Sequence, residues 1–110
     1  RFAKEIYDPS TIYITENGCC YPDEINPETG EVEDYARVNF LKHYLRALQR
    51  ASAEGYPIAG YFVWSLLDNF EWAEGYSKRF GLTHIDYKTQ KRTPKMSFKW
   101  YAEVIENGGL

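Results

Sequence analysis

The sequence predicts an α/β fold in which parallel strands are covered by helices. Two short runs rich in β-branched and aromatic residues, 11–15 and 58–67, each lead through a loop into a stretch of helical periodicity. Both runs read as buried on two faces, as parallel strands are when helices lie above and below the sheet. The order is strand, helix, strand, helix, after an opening helix tail, which is the pattern of βα units. Two parallel strands cannot make such a sheet alone, so neighbouring strands are expected outside these 110 residues.

Taken in order, Arg1 to Tyr7 resembles the last turns of an amphipathic helix with Phe2, Ile6 and Tyr7 facing inward. Asp8-Pro9-Ser10 is turn chemistry. Thr11 to Thr15 is a buried strand bounded by Asn17-Gly18, and Cys19 to Glu33, with its prolines and acids, is a loop long enough to suspect of function. Asp34 is placed to cap a helix reaching about Ala53. Val38, Leu41, Leu45 and Leu48 form its apolar stripe, and Gly55 and Pro57 stop it. Ile58 to Leu67 is the second strand, followed by an aromatic and acidic loop from Asp68 to Phe80. Gly81 to Tyr87 suggests a short extra strand. Thr93 and Pro94 suit the N-cap and first position of a last helix, whose apolar face is Phe98, Tyr101, Val104 and Ile105 and which Gly108-Gly109 ends.

Composition narrows the function. A net charge of −3 with interspersed signs offers no basic stripe for nucleic acid. The longest apolar run, 58–67, is about half of what a membrane span needs. The adjacent Cys19 and Cys20 read as free thiols in a reducing compartment, the cytoplasm, because neighbouring cysteines bridge only through a strained ring. His43 and His84 lie too far from them for zinc-ligand spacing, so no metal is expected. The chain opens inside a helical pattern without an initiating Met, so more sequence is expected before it, and a secretory leader is compatible with that. Aromatic residues make up an unusual 17% of the chain, and many of them are expected in the core. Beside polar groups such rings suit sugar, whose C–H faces pack on them while its hydroxyls take directed hydrogen bonds.

Two places carry chemistry. Glu16 stands at the C-terminal end of a buried strand, where βα barrels keep their reactive groups, and serves neither core nor solubility there; by position alone it is either such a group or a solvated loop Glu. Trp64 to Tyr76, after the second strand, holds Trp64, Glu71, Trp72 and Glu74. That segment is either a sugar subsite of rings and carboxylates, or barrel-mouth core with solvated acids.

Ile12-Tyr13-Ile14-Thr15-Glu16-Asn17-Gly18 resembles the nucleophile motif of glycoside hydrolase family 1. Gly60 to Trp72, reading GYFVWSLLDNFEW, resembles that family's glycone-binding segment. Gly75 to Leu82 and Asp86-Tyr87 to Arg92-Thr93-Pro94-Lys95 continue the likeness in the same order and spacing. The resemblance covers nearly the whole chain and implies a (β/α)8 TIM barrel, of which residues 1–110 would be the last two βα units. It implies that Glu16 is the nucleophile of a retaining β-glycosidase acting on β-D-glucosyl residues. Trp64 would lie beneath the glycone ring, Glu71 would accept hydrogen bonds from the O4 and O6 hydroxyls, Trp72 would donate its indole N–H, and Phe80 would form an aromatic wall. Glu74 matches no such role. No organic cofactor is implied. Glu71 would repel a 6-phosphate, which favours an unphosphorylated small β-glucoside or cello-oligosaccharide.

The family's acid/base belongs to an Asn-Glu-Pro motif that this sequence lacks. The second carboxyl group is therefore expected in an N-terminal part of the barrel, and the 110 residues alone are expected to be inactive and not to hold a native-like fold. A non-catalytic sugar-binding module would explain the aromatic residues and acids but not Glu16 at a strand end. A pseudoenzyme segment is the other competing reading. Cys19-Cys20 departs from the small residues usual after the motif, and implies sensitivity to thiol reagents.

Overall fold

A computed structural model describes residues 1–110. The elements are α1 (Phe2–Tyr7), β1 (Ile12–Asn17), α2 (Tyr35–Ala53), β2 (Ile58–Val63), a single 3-10 turn (Trp72–Glu74), β3 (Thr83–Ile85), β4 (Arg92–Pro94) and α3 (Met96–Glu106). Strands β1 and β2 pair in parallel and β3 with β4 antiparallel, as two separate two-stranded sheets. Because parallel neighbours need a crossover, α2 fills that role between β1 and β2. Helices α2 and α3 pack together, and α2 also packs on β2. No helix is long and apolar enough to cross a membrane.

The result is a slab, 48 × 33 × 18 Å. Its radius of gyration, 15.9 Å, exceeds the roughly 13 Å of a compact domain of this length. The strands are accordingly not covered on both faces, contrary to the sequence expectation: Tyr13 is 57% and Phe62 58% exposed. Their composition suits double burial, but a two-stranded sheet backed by helices leaves its other face open. The expected inward face of α1 is open in the same way, with Phe2, Ile6 and Tyr7 all exposed.

Three boundaries differ from the sequence reading. Strand β2 ends at Val63 rather than Leu67, because Ser65 pairs with another segment: its N–H donates to the Phe80 carbonyl at 3.2 Å and its carbonyl accepts from Leu82 N–H at 2.8 Å. Thr93 and Pro94 do not open the last helix but pair with His84 and Thr83 in β4. Pro94 ends a short edge strand, where its missing N–H is tolerated. The Asp34 carboxylate makes no capping bond to α2. It accepts instead from Ser97 N–H at 2.8 Å and Ser97 Oγ–H at 2.5 Å, capping α3 from 63 residues away. The extra strand expected within 81–87 is present as β3.

Only Val32, Leu41, Leu82 and Ile85 form a fully buried apolar core. Besides Thr83, His84 and Ser97, the other buried side chains are ionic. Arg37 holds Asp23 through both guanidinium nitrogens at 2.8 and 2.5 Å, and Asp34 at 2.5 Å. Lys95 bridges Asp23 at 2.6 Å and Asp68 at 2.9 Å. Arg79 donates to Asp68 at 2.6 Å. Asp23, Asp34 and Asp68 balance Arg37, Arg79 and Lys95, so the cluster is formally neutral, the condition under which buried charge is tolerated.

Candidate active site

Both halves of the expected site lie where a parallel strand leaves the sheet. In β1 the register runs Ile14 opposite Tyr61 and then Asn17 opposite Val63. Three steps on one strand match two on the other, so one extra residue bulges out at Thr15–Glu16. Such bulges re-aim a side chain, and here the exposed Glu16 is the residue re-aimed.

Trp64 follows β2 directly, and its N–H donates to the Asn17 carbonyl at 3.0 Å. The residue after the Glu16-Asn17 pair therefore meets the Trp64 backbone. A Cβ on Gly18 would overlap the Trp64 carbonyl oxygen, so only glycine allows this approach. On the neighbouring turn of strand, Gly60 leaves room for the Tyr13 ring.

The structure brings Trp64 and Glu71 together: the Trp64 indole N–H donates to Glu71 Oε1 at 3.1 Å. It also ties the Glu71–Gly75 turn into a closed unit. Glu71 N–H donates to the Gly75 carbonyl at 2.7 Å, Glu74 N–H to Glu71 at 2.9 Å, and Gly75 N–H to Trp72 at 3.0 Å. These bonds hold Trp72 at φ 46°, an unfavourable conformation for a bulky residue, with its ring 82% exposed. Glu74 points to solvent within that turn. Phe80 is half-buried, and its backbone is clamped from both sides: Phe80 accepts from Ser65 N–H at 3.2 Å, while Gly81 N–H donates to Asp68 Oδ1 at 2.9 Å. Thus Trp64 and Glu71 are in direct contact, Glu16 is joined to Trp64 through Asn17, and Trp72 and Phe80 stand on the same loop without touching either carboxylate through a hydrogen bond.

Sequence reasoning did not single out the ionic cluster that sets this loop. Arg37 Nη2 donates to the Arg79 carbonyl at 2.8 Å and its Nε to the Cys19 carbonyl at 3.4 Å. One guanidinium therefore spans the loops that follow the two strands. Burial alone would raise the Asp68 pKa, but Lys95 and Arg79 outweigh it and hold the carboxyl below the usual carboxylate range. Burial, with the nearby Arg79 and Lys95 cations, holds His84 below the ordinary histidine value. Burial pushes the Cys19 thiol up to about 11. The cue in the sequence was Asp68 at the end of the largely apolar run 58–67; Lys95, close to Lys91 and Arg92, carried none. No three His, Cys, Asp or Glu side chains are grouped so as to hold a metal ion.

A family model described as Glycosyl hydrolase family 1 matches residues 1–110. The chain is 54% identical over 107 residues to a 1,4-beta-D-glucan glucohydrolase of Thermotoga neapolitana, covering 97% of this chain and 24% of that protein. It is 52% identical over 100 residues to a beta-glucosidase of Agrobacterium sp., covering 91% of this chain and 21% of that one. Among solved structures, the beta-glucosidase of Thermotoga maritima in complex with deoxynojirimycin superposes with a TM-score of 0.97 at 52% identity, over 99% of this chain and 25% of that one. The chain thus spans about a quarter of the length of the relatives it matches.

Proposed function

This chain belongs to glycosyl hydrolase family 1, and from that membership and the geometry above we propose that it is part of a retaining β-glucosidase that removes terminal β-D-glucosyl residues. The observation that carries the proposal is the junction of Asn17 with Trp64, which sets the bulged Glu16 beside the Trp64–Glu71 pair at one edge of the sheet. In this reading the chain supplies the last two βα units of a (β/α)8 barrel, and the rest of the barrel covers the open face bearing Tyr13 and Phe62. The near-complete superposition on a quarter of a beta-glucosidase supports that placement.

The chemistry uses Glu16 and a second carboxyl group. A Glu16 carboxylate oxygen attacks the anomeric carbon as the bond to the leaving oxygen breaks, and that oxygen takes a proton from a second carboxyl group. The product is a glycosyl ester of Glu16. Water, deprotonated by the same second group, then cleaves the ester and frees Glu16 with the configuration retained. The two groups must stand about 5–5.5 Å apart, and the second is supplied by the part of the barrel outside this chain. Trp64 packs under the sugar ring, Glu71 accepts from its O4 and O6 hydroxyls, Trp72 donates its exposed indole N–H, and Phe80 walls the subsite. The contact between Trp64 and Glu71 supports this arrangement, since it holds the acceptor at the rim of the platform. A small β-glucoside or cello-oligosaccharide is the proposed substrate, supported by the glucan glucohydrolase among the relatives. The two free thiols favour the cytoplasm.

The test is intact mass of the full-length protein before and after incubation with a 2-deoxy-2-fluoro-β-glucoside, then peptide mapping. One sugar on the peptide holding Glu16 is the expected result. A label on another peptide, or binding of glucosides without any label or turnover, would mean a different nucleophile or a sugar-binding module.

A further inference from the structure

The bulge that aims Glu16 is anchored by a residue on the neighbouring strand that has no contact with the proposed sugar site. Tyr61 Oη–H donates to Asn17 Oδ1 at 2.7 Å. Its ring packs edge-on against Tyr101 of α3, with centroids 6.5 Å apart. Phe62, the next residue on the same strand, is exposed on the sheet's open face, so Tyr61 lies on the helix-packed face. Asn17 therefore reaches back into the helix layer at the point where the bulge ends. Its carbonyl is held by Trp64 N–H and its amide oxygen by Tyr61.

A bulge is a local break in the ladder, so the contacts at its end bear on how far Glu16 leans out. Two hydrogen bonds anchor Asn17 there. The backbone anchor is generic to strand pairing, whereas the side-chain anchor is particular to Tyr61. On the reading that Glu16 is the nucleophile, we propose that Tyr61 is a positioning residue for it, acting through Asn17. The reacting oxygen and the anomeric carbon must be aligned within a fraction of an ångström. Loosening Asn17 would let Glu16 sample positions that still permit sugar binding but attack more slowly.

The experiment uses the full-length protein and its inactivation by a 2-deoxy-2-fluoro-β-glucosyl reagent, which separates binding of the reagent from attack by Glu16. In Tyr61→Phe the ring and its packing remain and one hydrogen bond is lost. The inactivation rate constant should fall roughly two- to tenfold, as expected for one neutral hydrogen bond, while the reagent's binding constant changes by less than about twofold. Asn17→Ala breaks the same bond from the other side and should show the same split. The double variant should lose little more than the worse single one, because the two act through one bond. Tyr101→Phe removes a hydroxyl that donates only weakly, at 3.5 Å, to the Tyr61 carbonyl and leaves the Tyr61–Asn17 bond in place, so it should leave the rate constant within about twofold of wild type.

An unchanged rate constant in both Tyr61→Phe and Asn17→Ala overturns the proposal. So does an equal loss in Tyr101→Phe, or a change in binding as large as the change in rate. If Tyr61→Phe does not fold, Asn17→Ala carries the same test alone. Failure to label Glu16 in the wild-type protein is a different result: it overturns the nucleophile assignment itself, and the positioning role with it.

Discussion

Lys95→Met should be among the most damaging single substitutions in this chain, although Lys95 lies outside the proposed site. Its ammonium sits 2.6 Å from Asp23 and 2.9 Å from Asp68, and all three side chains are at most 1% exposed. Methionine fills similar volume but turns a formally neutral cluster into one with a charge of −1. Removing one partner of a buried ion pair typically costs about 3–5 kcal/mol. Asp23 keeps two bonds from Arg37, and Asp68 keeps Arg79 and Gly81 N–H, so a cost near the lower end, about 3 kcal/mol, is expected. The pH dependence has a definite sign. The Asp68 pKa is depressed in the folded chain, so its contribution is present above the ordinary carboxylate value and is lost as pH falls through the depressed one. Without Lys95 the folded pKa rises, and the gap in stability between wild type and variant should narrow below about pH 4. Adding Asp23→Asn restores neutrality, and the double variant should be more stable than the sum of the two single losses by about 1–2 kcal/mol. Urea unfolding of the full-length proteins at pH 7 and pH 4 measures all of this. A loss below about 1 kcal/mol for Lys95→Met, or strict additivity with Asp23→Asn, would refute the view that charge balance holds the interior together.

Glu71→Ala should lower kcat/KM by roughly two to four decades, since two hydrogen bonds from sugar hydroxyls to a carboxylate contribute about 1.5–3 kcal/mol each. Glu74→Ala, exposed in the same turn, should stay close to wild type, and similar small effects from both would remove Glu71 from the site. Cys19, with its thiol pushed up to about 11 by burial, should carry roughly 100-fold less thiolate at pH 7.5 than an ordinary cysteine. Iodoacetamide labelling read by fragment mass should therefore spare Cys19 in the folded protein, and rapid labelling there sinks the argument. The 110 residues expressed alone should melt without a sharp transition, because Tyr13, Phe62, Leu66 and Ile105 stay exposed and only four apolar side chains are fully buried. A cooperative calorimetric peak would show that the ionic interior suffices without a covering partner.

What could be read from the sequence alone was local or carried by motif. The α2 stripe of Val38, Leu41, Leu45 and Leu48 repeats over several turns, so its periodicity identified the helix, and the stop at Gly55 agrees with the structure. The β-rich runs marked β1 and β2, and the strand end marked Glu16, because these signals lie within a few neighbouring residues. Tertiary contact decided the rest. Strand β4 has three residues and no periodicity of its own, and exists only because β3 pairs with it. Asp34 looked like the cap of the helix it precedes, yet Ser97 and Arg37 compete for its carboxylate and win. Asp23 and Lys95 are 72 residues apart, and no local pattern links two opposite charges at that distance. The bulge at Glu16 likewise depends on how Asn17 meets Tyr61 and Trp64 across the sheet. The sequence by itself determined which residues are candidates for chemistry, because type and strand-end position are local properties. Only the tertiary structure decided how they are aimed, because hydrogen bonds and ion pairs between distant segments set orientation, and their partners are defined by the fold.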